Sequence, residues 1–375
     1  MPMNKKIKIF VDAHCFDTEY QGTQTFLRGL YSELISKFPL LDIHFGAHNT
    51  ERIKNEFPLL DQSRILKYRF RNKLRLVSDI PYLLRKHQFE WAHFQNLAPT
   101  GNNNCRYIVT LHDVLFEDYK NYFPLIYRKI RRVLFKSSFK KASIKTTVSD
   151  YSRQRISFHY NIPENEIEIL SNGVSQKRYF IHKKEAEEHI AVKFGITNFI
   201  LCVSRIEPRK NHSLLIKIFE DLNLHYQKTH LVFIGKRSLV SNEYESRLRL
   251  LTPEHKKYIH WFEQVDDCDL EAFYNSCRFF VYPSMAEGFG IPPLEAAIHG
   301  TPVLCSSLTA MGSFNFFEPF TFDPCNYQEF RSKFKGLLEQ IPSKNKLHSI
   351  SQKILAQYNW EKSANKFYRL VQPYS

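Results

Sequence analysis

The chain has 375 residues, 43% of them hydrophobic and 15% aromatic, which is enough apolar mass for two or three domains. Its formal net charge is +15, and residues 1–180 hold most of it, with 29 Lys and Arg against 17 Asp and Glu; either a negatively charged partner or a solvated basic face is implied. No apolar run reaches the roughly 18 residues that cross a membrane, and the seven scattered cysteines, with no C-x-x-C pair, read as reduced thiols rather than disulfides or a zinc site.

The opening Met-Pro-Met-Asn-Lys-Lys lacks the apolar region of a signal peptide, so a cytoplasmic location is expected. Ile7 to Val11 reads as a strand ending at Asp12, followed by a loop from Ala13 to Gly22. A helix from about Thr23 to Lys37 then places Phe26, Leu27, Leu30, Leu34 and Phe38 on one face. Ile43 to Gly46 is a second strand, whereas residues 51–86 show no clear period around the alternating run Lys67 to Arg75. Trp91 to Phe94 and Tyr107 to Leu111 read as strands, the latter running into His112-Asp113. Residues 125–142 form a basic helix with Ile126, Ile130, Val133 and Leu134 as its expected apolar face. Lys145 to Val148 is another strand, Ser149-Asp150 can cap the next helix, and Ile167 to Leu170 closes this half.

After a turn at Ser171 to Val174 and a charged segment, His182 to Glu188, the rhythm repeats. Strands are expected at Phe199 to Val203, Leu231 to Ile234, Tyr258 to Phe262, Phe279 to Tyr282 and Pro302 to Cys305. Helices fall near 212–225, 241–251, 269–277 and 292–299, and the tail from Lys344 to Val371 is helical. Alternating strands and helices predict parallel sheets covered on both faces. Two such halves give two nucleotide-binding-type domains with a cleft between them, divided near residues 172–195.

Two stretches carry chemistry. Tyr282 to Ser306 reads as strand, glycine loop, helix, strand, with Glu287 and Glu295 eight positions apart and Pro292-Pro293 opening the helix. A loop at a helix N-terminus offers free N–H groups to a phosphate, and two carboxylates around it can take hydroxyl groups. In S-R-I-E-P-R-K-N (Ser204 to Asn211), Arg205 and Lys210 lie in a loop at a strand's C-terminal end, where open α/β sheets bind ligands. Such cations can neutralise a diphosphate without a metal ion.

Together these pieces resemble the retaining glycosyltransferases of family 4. The resemblance runs in order across nearly the whole chain: Gly22 in the first loop, T-L-H-D (Thr110 to Asp113), S-N-G-V (Ser171 to Val174), S-R-I-E-P-R-K-N, E-G-F-G-I-P-P-L-E (Glu287 to Glu295) with G-T-P-V (Gly300 to Val303), and a closing Trp360-Glu361. It implies an α/β GT-B fold, two Rossmann-like parallel-sheet domains facing across a cleft. Residues 1–180 would form the acceptor side, 181–355 the nucleotide-sugar side, and 356–375 a helix packing back towards the first domain. It implies transfer of a hexose from a nucleotide sugar with retention and without a metal or other cofactor. Arg205 and Lys210 would hold the diphosphate, aided by backbone N–H groups of Phe289, Gly290 and Ile291. Glu287 would face the donor sugar, Glu295 the ribose, Val265 the base, His112 the sugar at the cleft, and Gly22 would leave room for the diphosphate. The family's usual account is front-face attack with the leaving phosphate taking the acceptor proton. That fits the absence of an obvious second carboxylate for double displacement.

The resemblance suggests mannose from GDP-mannose first and a UDP-hexose second, transferred to a glycan or lipid-linked acceptor in bacterial surface-polysaccharide assembly. Where the family often has two glycines the first loop has one, and Ser204 replaces the usual Gly before Arg205, so donor fit differs. A non-catalytic nucleotide-sugar-binding protein and a basic nucleic-acid-binding protein are the alternatives. A dehydrogenase is disfavoured because no G-x-G-x-x-G follows the first strand. For the basic helix, a solvated face and an anionic membrane patch using Arg128, Arg131 and Arg132 both stay open. Replacing Glu287 or Lys210 by Ala is expected to abolish transfer and leave the fold intact.

Overall fold

In the computed structural model, residues 6–18, 22–101, 104–175, 179–180, 182–238 and 242–372 are described. The opening residues 1–5, Tyr20 and Gln21 of the first loop, and the start of the helix expected at 241 lie outside them.

The chain folds as two compact units, residues 1–173 with 358–375, and residues 174–357. In the first unit, strands β1 (Ile7–Asp12), β2 (Leu41–Ala47), β3 (Ile65–Lys67), β4 (Trp91–Gln95), β5 (Arg106–Thr110), β6 (Ile144–Thr147) and β7 (Ile167–Ile169) form one sheet. Its order is β3-β2-β1-β4-β5-β6-β7, and every pairing is parallel. Helices α1 (Gly22–Lys37), α2 (Thr50–Glu56), α3 (Asp79–His87), α4 (Leu115–Asp118), α5 (Leu125–Lys141) and α6 (Asp150–Tyr160) make the connections. The strands are buried along most of their length, as a sheet covered on both faces requires. Ser149 caps α6 by accepting from the Ser152 N–H at 3.0 Å.

In the second unit, β8 (Phe199–Val203), β9 (His230–Ile234), β10 (Ile259–Phe262), β11 (Phe279–Tyr282), β12 (Val303–Ser306) and β13 (Thr321–Phe322) pair in the order β10-β9-β8-β11-β12-β13, again all parallel. Helices α7 (Lys183–Phe194), α8 (His212–Asp221), α9 (Asn242–Leu250), α10 (Pro253–Lys256), α11 (Asp267–Ser276), α12 (Ile291–Ile298), α13 (Tyr327–Glu339) and α14 (Lys344–Gln357) surround it. The tail is two helices, α14 and a second that starts close to the boundary expected at 356. Asn359 accepts from the Lys362 N–H and starts α15 (Trp360–Val371), which belongs to the first unit. There α15 packs on α1 through Phe26–Trp360, Tyr31–Phe367 and Phe38–Tyr368 ring contacts.

Two expectations need correction. Residues 51–86 hold α2, β3 and α3 with two 3-10 turns, Gln62–Arg64 and Lys73–Leu76, between them; β3 is a three-residue edge strand, too short to show a period. In α5 the expected apolar face is turned to solvent: Ile126 is 73% exposed and Val133 66%. The face against the sheet is Phe135, Ser138 and Phe139 instead. There Phe135 and Phe139 are 4% and 0% exposed.

Candidate active site

Both sheets reverse their winding at one point, between β1 and β4 in the first unit and between β8 and β11 in the second. Loops beyond the C-terminal ends of such strands are where open α/β sheets hold ligands.

In the second unit those loops are residues 204–211, after β8, and 283–290, after β11. They are tied together by backbone: Met285 N–H donates to the Arg209 carbonyl at 2.7 Å, and the Ser284 hydroxyl reaches the same oxygen at 3.3 Å. A 3-10 turn over Pro208–Lys210 ends at Asn211 in the left-handed region, φ 56°. This turn sends Lys210 inwards, where it is 8% exposed. Lys210 Nζ pairs with Glu287 Oε1 and donates to the Tyr282 hydroxyl at 2.9 Å. The same Oε1 accepts from Tyr282 at 3.0 Å and from Ser284 at 2.6 Å. Oε2 meets Arg209 Nη1 at 3.2 Å, and Arg209 also binds Glu207 at 2.6 Å. Arg205 stands apart from this buried set. Its side chain is half-exposed, with Glu207 3.9 Å away.

Burial, the largest influence on Glu287, would raise its pKa; Lys210 and Arg209 overcome it and hold the carboxyl at about 2. Burial and the neighbouring Arg209 push Lys210 downwards, and Glu287 opposes them. Glu287 is thus an anion between two cations, one of which, Arg209, it shares with Glu207.

The approach to α12 needs Gly290. Its φ is +100°, and a Cβ there would come within 2.9 Å of Met311. Phe289 is buried against Phe314, and Ile291 opens the helix. Glu295, one turn further on, accepts from the Tyr274 hydroxyl of α11 at 3.0 Å, and burial raises its pKa. It therefore lies in a separate contact from the Glu287 cluster. Val265 is half-buried in the loop between β10 and α11. A cavity of about 310 Å³ at the other end of α12, beside His299, Lys344 and His348, contains none of these residues.

In the first unit, His112 follows β5. Its Nε2 donates to Gln95 Oε1 at 2.8 Å, and its ring meets Phe26 edge-on at 5.1 Å. Burial lowers its pKa to about 4. Gln95 in turn donates to His93 Nε2 at 3.1 Å, and His93 bonds Thr110 and the Tyr31 hydroxyl, each at 2.7 Å. With Nε2 committed as a donor, Nδ1 of His112 is left as an acceptor. Gly22 is the exposed first residue of α1, and a Cβ there would meet nothing within 4 Å. At the end of β1, buried Asp12 holds Tyr68, His14 and Arg75. Burial alone would raise its pKa, but these partners keep it well below the usual carboxylate range.

Sequence reasoning missed Arg209, Tyr282, Ser284, Tyr274 and Gln95. Arg209 was visible as a third cation in S-R-I-E-P-R-K-N, and Tyr282 and Ser284 stood beside Glu287. Nothing local pointed to Gln95 or Tyr274, which reach their partners across 17 and 21 positions. Among the described residues, no group of three or more His, Cys, Asp or Glu is placed to hold a metal.

Comparison with known proteins covers both units. Residues 183–354 match the model of the glycosyl transferases group 1, and residues 45–178 match that of Glycosyltransferase Family 4. The serotype-specific mannosyltransferase WbdA of Escherichia coli is 28% identical over 63% of this chain, a match that spans only 30% of WbdA's own length. The O-antigen chain mannosyltransferase RfbU of Salmonella typhimurium is 29% identical over 62% of this chain and 61% of its own. Among solved structures, Anabaena HepE in complex with UDP and glucose superposes with a TM-score of 0.72 at 13% identity, over 97% of this chain and 99% of that one; this likeness concerns the fold alone. The chain belongs to family 4 of the glycosyltransferases, the group 1 glycosyl transferases, which are retaining enzymes of the GT-B fold.

Proposed function

We propose that this chain moves mannose from GDP-mannose, with retention, onto a growing glycan or lipid-linked acceptor of a bacterial surface polysaccharide. The observation that carries the donor site is the buried Lys210–Glu287–Arg209 group at the ends of β8 and β11, beside the N-terminus of α12. Breaking a glycosyl–phosphate bond builds negative charge on the departing diphosphate. Fixed cations and helix N–H groups stabilise that charge without reorganising. Lys210 commits two of its three N–H groups, to Glu287 and Tyr282, so the third can meet a phosphate oxygen while the ion pair stays closed. Half-exposed Arg205 supplies the second cation, and the N–H groups of Phe289, Gly290 and Ile291 complete the cradle.

Glu287 divides its work between its oxygens. Oε1 takes three donors from the protein, whereas among the described residues Oε2 takes Arg209 alone, and it is Oε2 that accepts from a sugar hydroxyl. Glu295, held by Tyr274, takes the ribose, and Val265 borders the base. His112 offers its Nδ1 to a hydroxyl of the donor sugar, and Gly22 gives the diphosphate space. No protein nucleophile is required: the acceptor attacks from the leaving-group face, and the phosphate takes its proton. With two cations already assigned to the diphosphate, transfer persists in EDTA.

Mannose as the sugar rests on the names of the two bacterial relatives, and the base is open to direct test. Unfolding temperature is measured with GDP, UDP and ADP, and transfer is followed from radiolabelled GDP-mannose to a lipid-linked glycan. A nucleotide at 100 times its Kd stabilises by about 2.7 kcal/mol, a shift of several degrees. GDP is expected to give that shift and labelled product to form. Stabilisation by UDP alone would move the reading to a UDP-hexose, and no shift with any nucleotide would overturn it.

A further inference from the structure

The turn that follows β1 is held by more bonds than a connection needs. Residues His14–Asp17 form a 3-10 turn, and of residues 12–17 only His14 is not buried. Its neighbours pin the rest. Gln24 of α1 donates to the Cys15 carbonyl at 2.6 Å, Arg52 of α2 to the Thr18 carbonyl at 2.8 Å, and Arg71 to the Asp17 carbonyl at 3.1 Å. The Asp17 carboxylate accepts from the backbone N–H groups of His48 and Asn49 at 2.9 and 2.6 Å. A turn so held fixes the one side chain that it exposes.

His14 Nδ1 lies 3.0 Å from Asp12 Oδ2, and the backbone N–H of His14 donates to Asp12 Oδ1 at 3.3 Å. Asp12 is fully buried and also meets the Tyr68 hydroxyl at 3.0 Å and Arg75 Nη2 at 3.4 Å. With the guanidinium of Arg75 beside it, Asp12 stays ionised and can only accept. The hydrogen of a neutral His14 is therefore on Nδ1, and Nε2 carries a lone pair. Among the described residues nothing bonds that Nε2, and the side chain is 27% exposed. This histidine, its tautomer set by a buried carboxylate, stands at the C-terminal end of the strand where the sheet reverses its winding. It is placed to receive a hydroxyl group.

We propose that His14 binds the acceptor, its Nε2 taking a hydrogen bond from a hydroxyl of the acceptor's terminal sugar, with Asp12 as the residue that positions it. This rests on the function proposed above, with the first unit as the acceptor side, and leaves the acceptor's proton to the departing phosphate. Helix α1 joins this point to His112: Gln24 holds the turn, and Phe26 meets the His112 ring edge-on at 5.1 Å. A bare Nε2 favours an acceptor with a hydroxyl at that place over one without it, which makes His14 a specificity residue.

The test uses the full chain, nitrogen-15 labelled at histidine, with octyl α-mannoside as a soluble lipid-linked sugar. The His14 signals, identified by their loss in His14→Asn, are expected to show hydrogen on Nδ1 and none on Nε2. The mannoside should shift the Nε2 signal, and GDP alone should not. In transfer at saturating nucleotide sugar, His14→Asn keeps a partner for Asp12 but ends short of Nε2. It is expected to raise the acceptor KM about tenfold and to leave the stabilisation by GDP as in the parent. His14→Gln, whose amide oxygen reaches about as far as Nε2, should restore most of the affinity. Asp12→Asn can donate to Nδ1 and so drive the hydrogen to Nε2. It should raise the same KM with His14 intact, and the spectrum should show the exchanged tautomer. Should the lost counter-charge of Arg75 unfold that variant, the two His14 variants decide alone. An unchanged acceptor KM in His14→Asn overturns the proposal, as does hydrogen on Nε2 in the parent or an Nε2 that ignores the mannoside. Equal losses in the Gln and Asn variants overturn it too, because the role would then be structural. So does weaker GDP binding in His14→Asn, since the residue would then belong to the donor. A donor other than GDP-mannose would revise the function proposed above and not this result, because the tautomer and the mannoside shift are read with no donor present.

Discussion

Glu287 combines two demands that the sequence alone kept separate. In the proposed reaction it presents a carboxylate to a sugar; in the fold it is the counter-charge of buried Lys210 and shares Arg209 with Glu207. Removing its charge therefore costs stability as well as rate, contrary to the expectation that the fold would be indifferent. Glu287→Gln is expected to lower kcat by 10²–10³, about the loss seen when one preorganised electrostatic contact is deleted. It should also destabilise the protein by about 3 kcal/mol, since buried Lys210 loses its counter-charge. Parallel activity and urea-unfolding measurements check both, and a fully active or fully stable variant contradicts the assignment. The motif made Glu287 and Lys210 legible because their spacing and glycine context are distinctive. Which of Arg205, Arg209 and Lys210 turns inwards was not legible. The 3-10 turn at Pro208 and the left-handed Asn211 decide that, and three neighbouring cations look alike in a string of letters. The partners of His112 were hidden for another reason. Gln95, His93 and Tyr31 come from β4 and α1, and only the sheet order brings them to the end of β5.

Elements were legible where period and length cooperated. The central strands and α1 were read nearly as they stand, whereas β3 and β13, of three and two residues, gave no signal. The facing of α5 was misread because periodicity marks an apolar stripe but does not say which stripe meets the core. The family resemblance set residues 356–375 apart as a helix of their own, but its first residue was not legible, because Asn359 is a polar residue like its neighbours until its side chain is seen to cap α15. That cap matters, because it aims Trp360 at two glycines. A Cβ on Gly29 would lie 2.0 Å from the indole, and one on Gly173 would lie 2.5 Å from the Trp360 amide nitrogen. Trp360→Ala is expected to cost 3–5 kcal/mol by leaving this space empty. Gly29→Ala should destabilise as well, from overpacking. Urea midpoints measure both, and a change below about 1 kcal/mol for Trp360→Ala would show that α15 is a loose appendage.

For the whole molecule, buried histidines set the response to acid. Burial brings His93 and His212 to about 3 and His112 to about 4. In the unfolded chain each titrates near 6.5. As pH falls below 6.5 the unfolded state takes up protons that the folded state refuses, so stability drops by about 1.4 kcal/mol per pH unit for each such group. Glu287, depressed in the fold, adds its own loss only below about pH 4.5. Calorimetry is expected to show an unfolding temperature that is flat above pH 7 and falls steeply from 6.5 towards 4. A flat profile down to pH 5 would contradict the buried-histidine account.

The return of α15 to the first unit also fixes an order of events at the ribosome. Residues 174–357 form a continuous stretch that can close as soon as it has emerged. The first unit, although begun earlier, waits for α15, which follows the second unit, to complete it. Until then the side of α1 that α15 covers, including Phe26 and Tyr31, stands open. The half that is translated first is therefore the half that is finished last. A nascent chain stalled before Trp360 presents an aromatic surface to whatever chaperone or protease reaches it first.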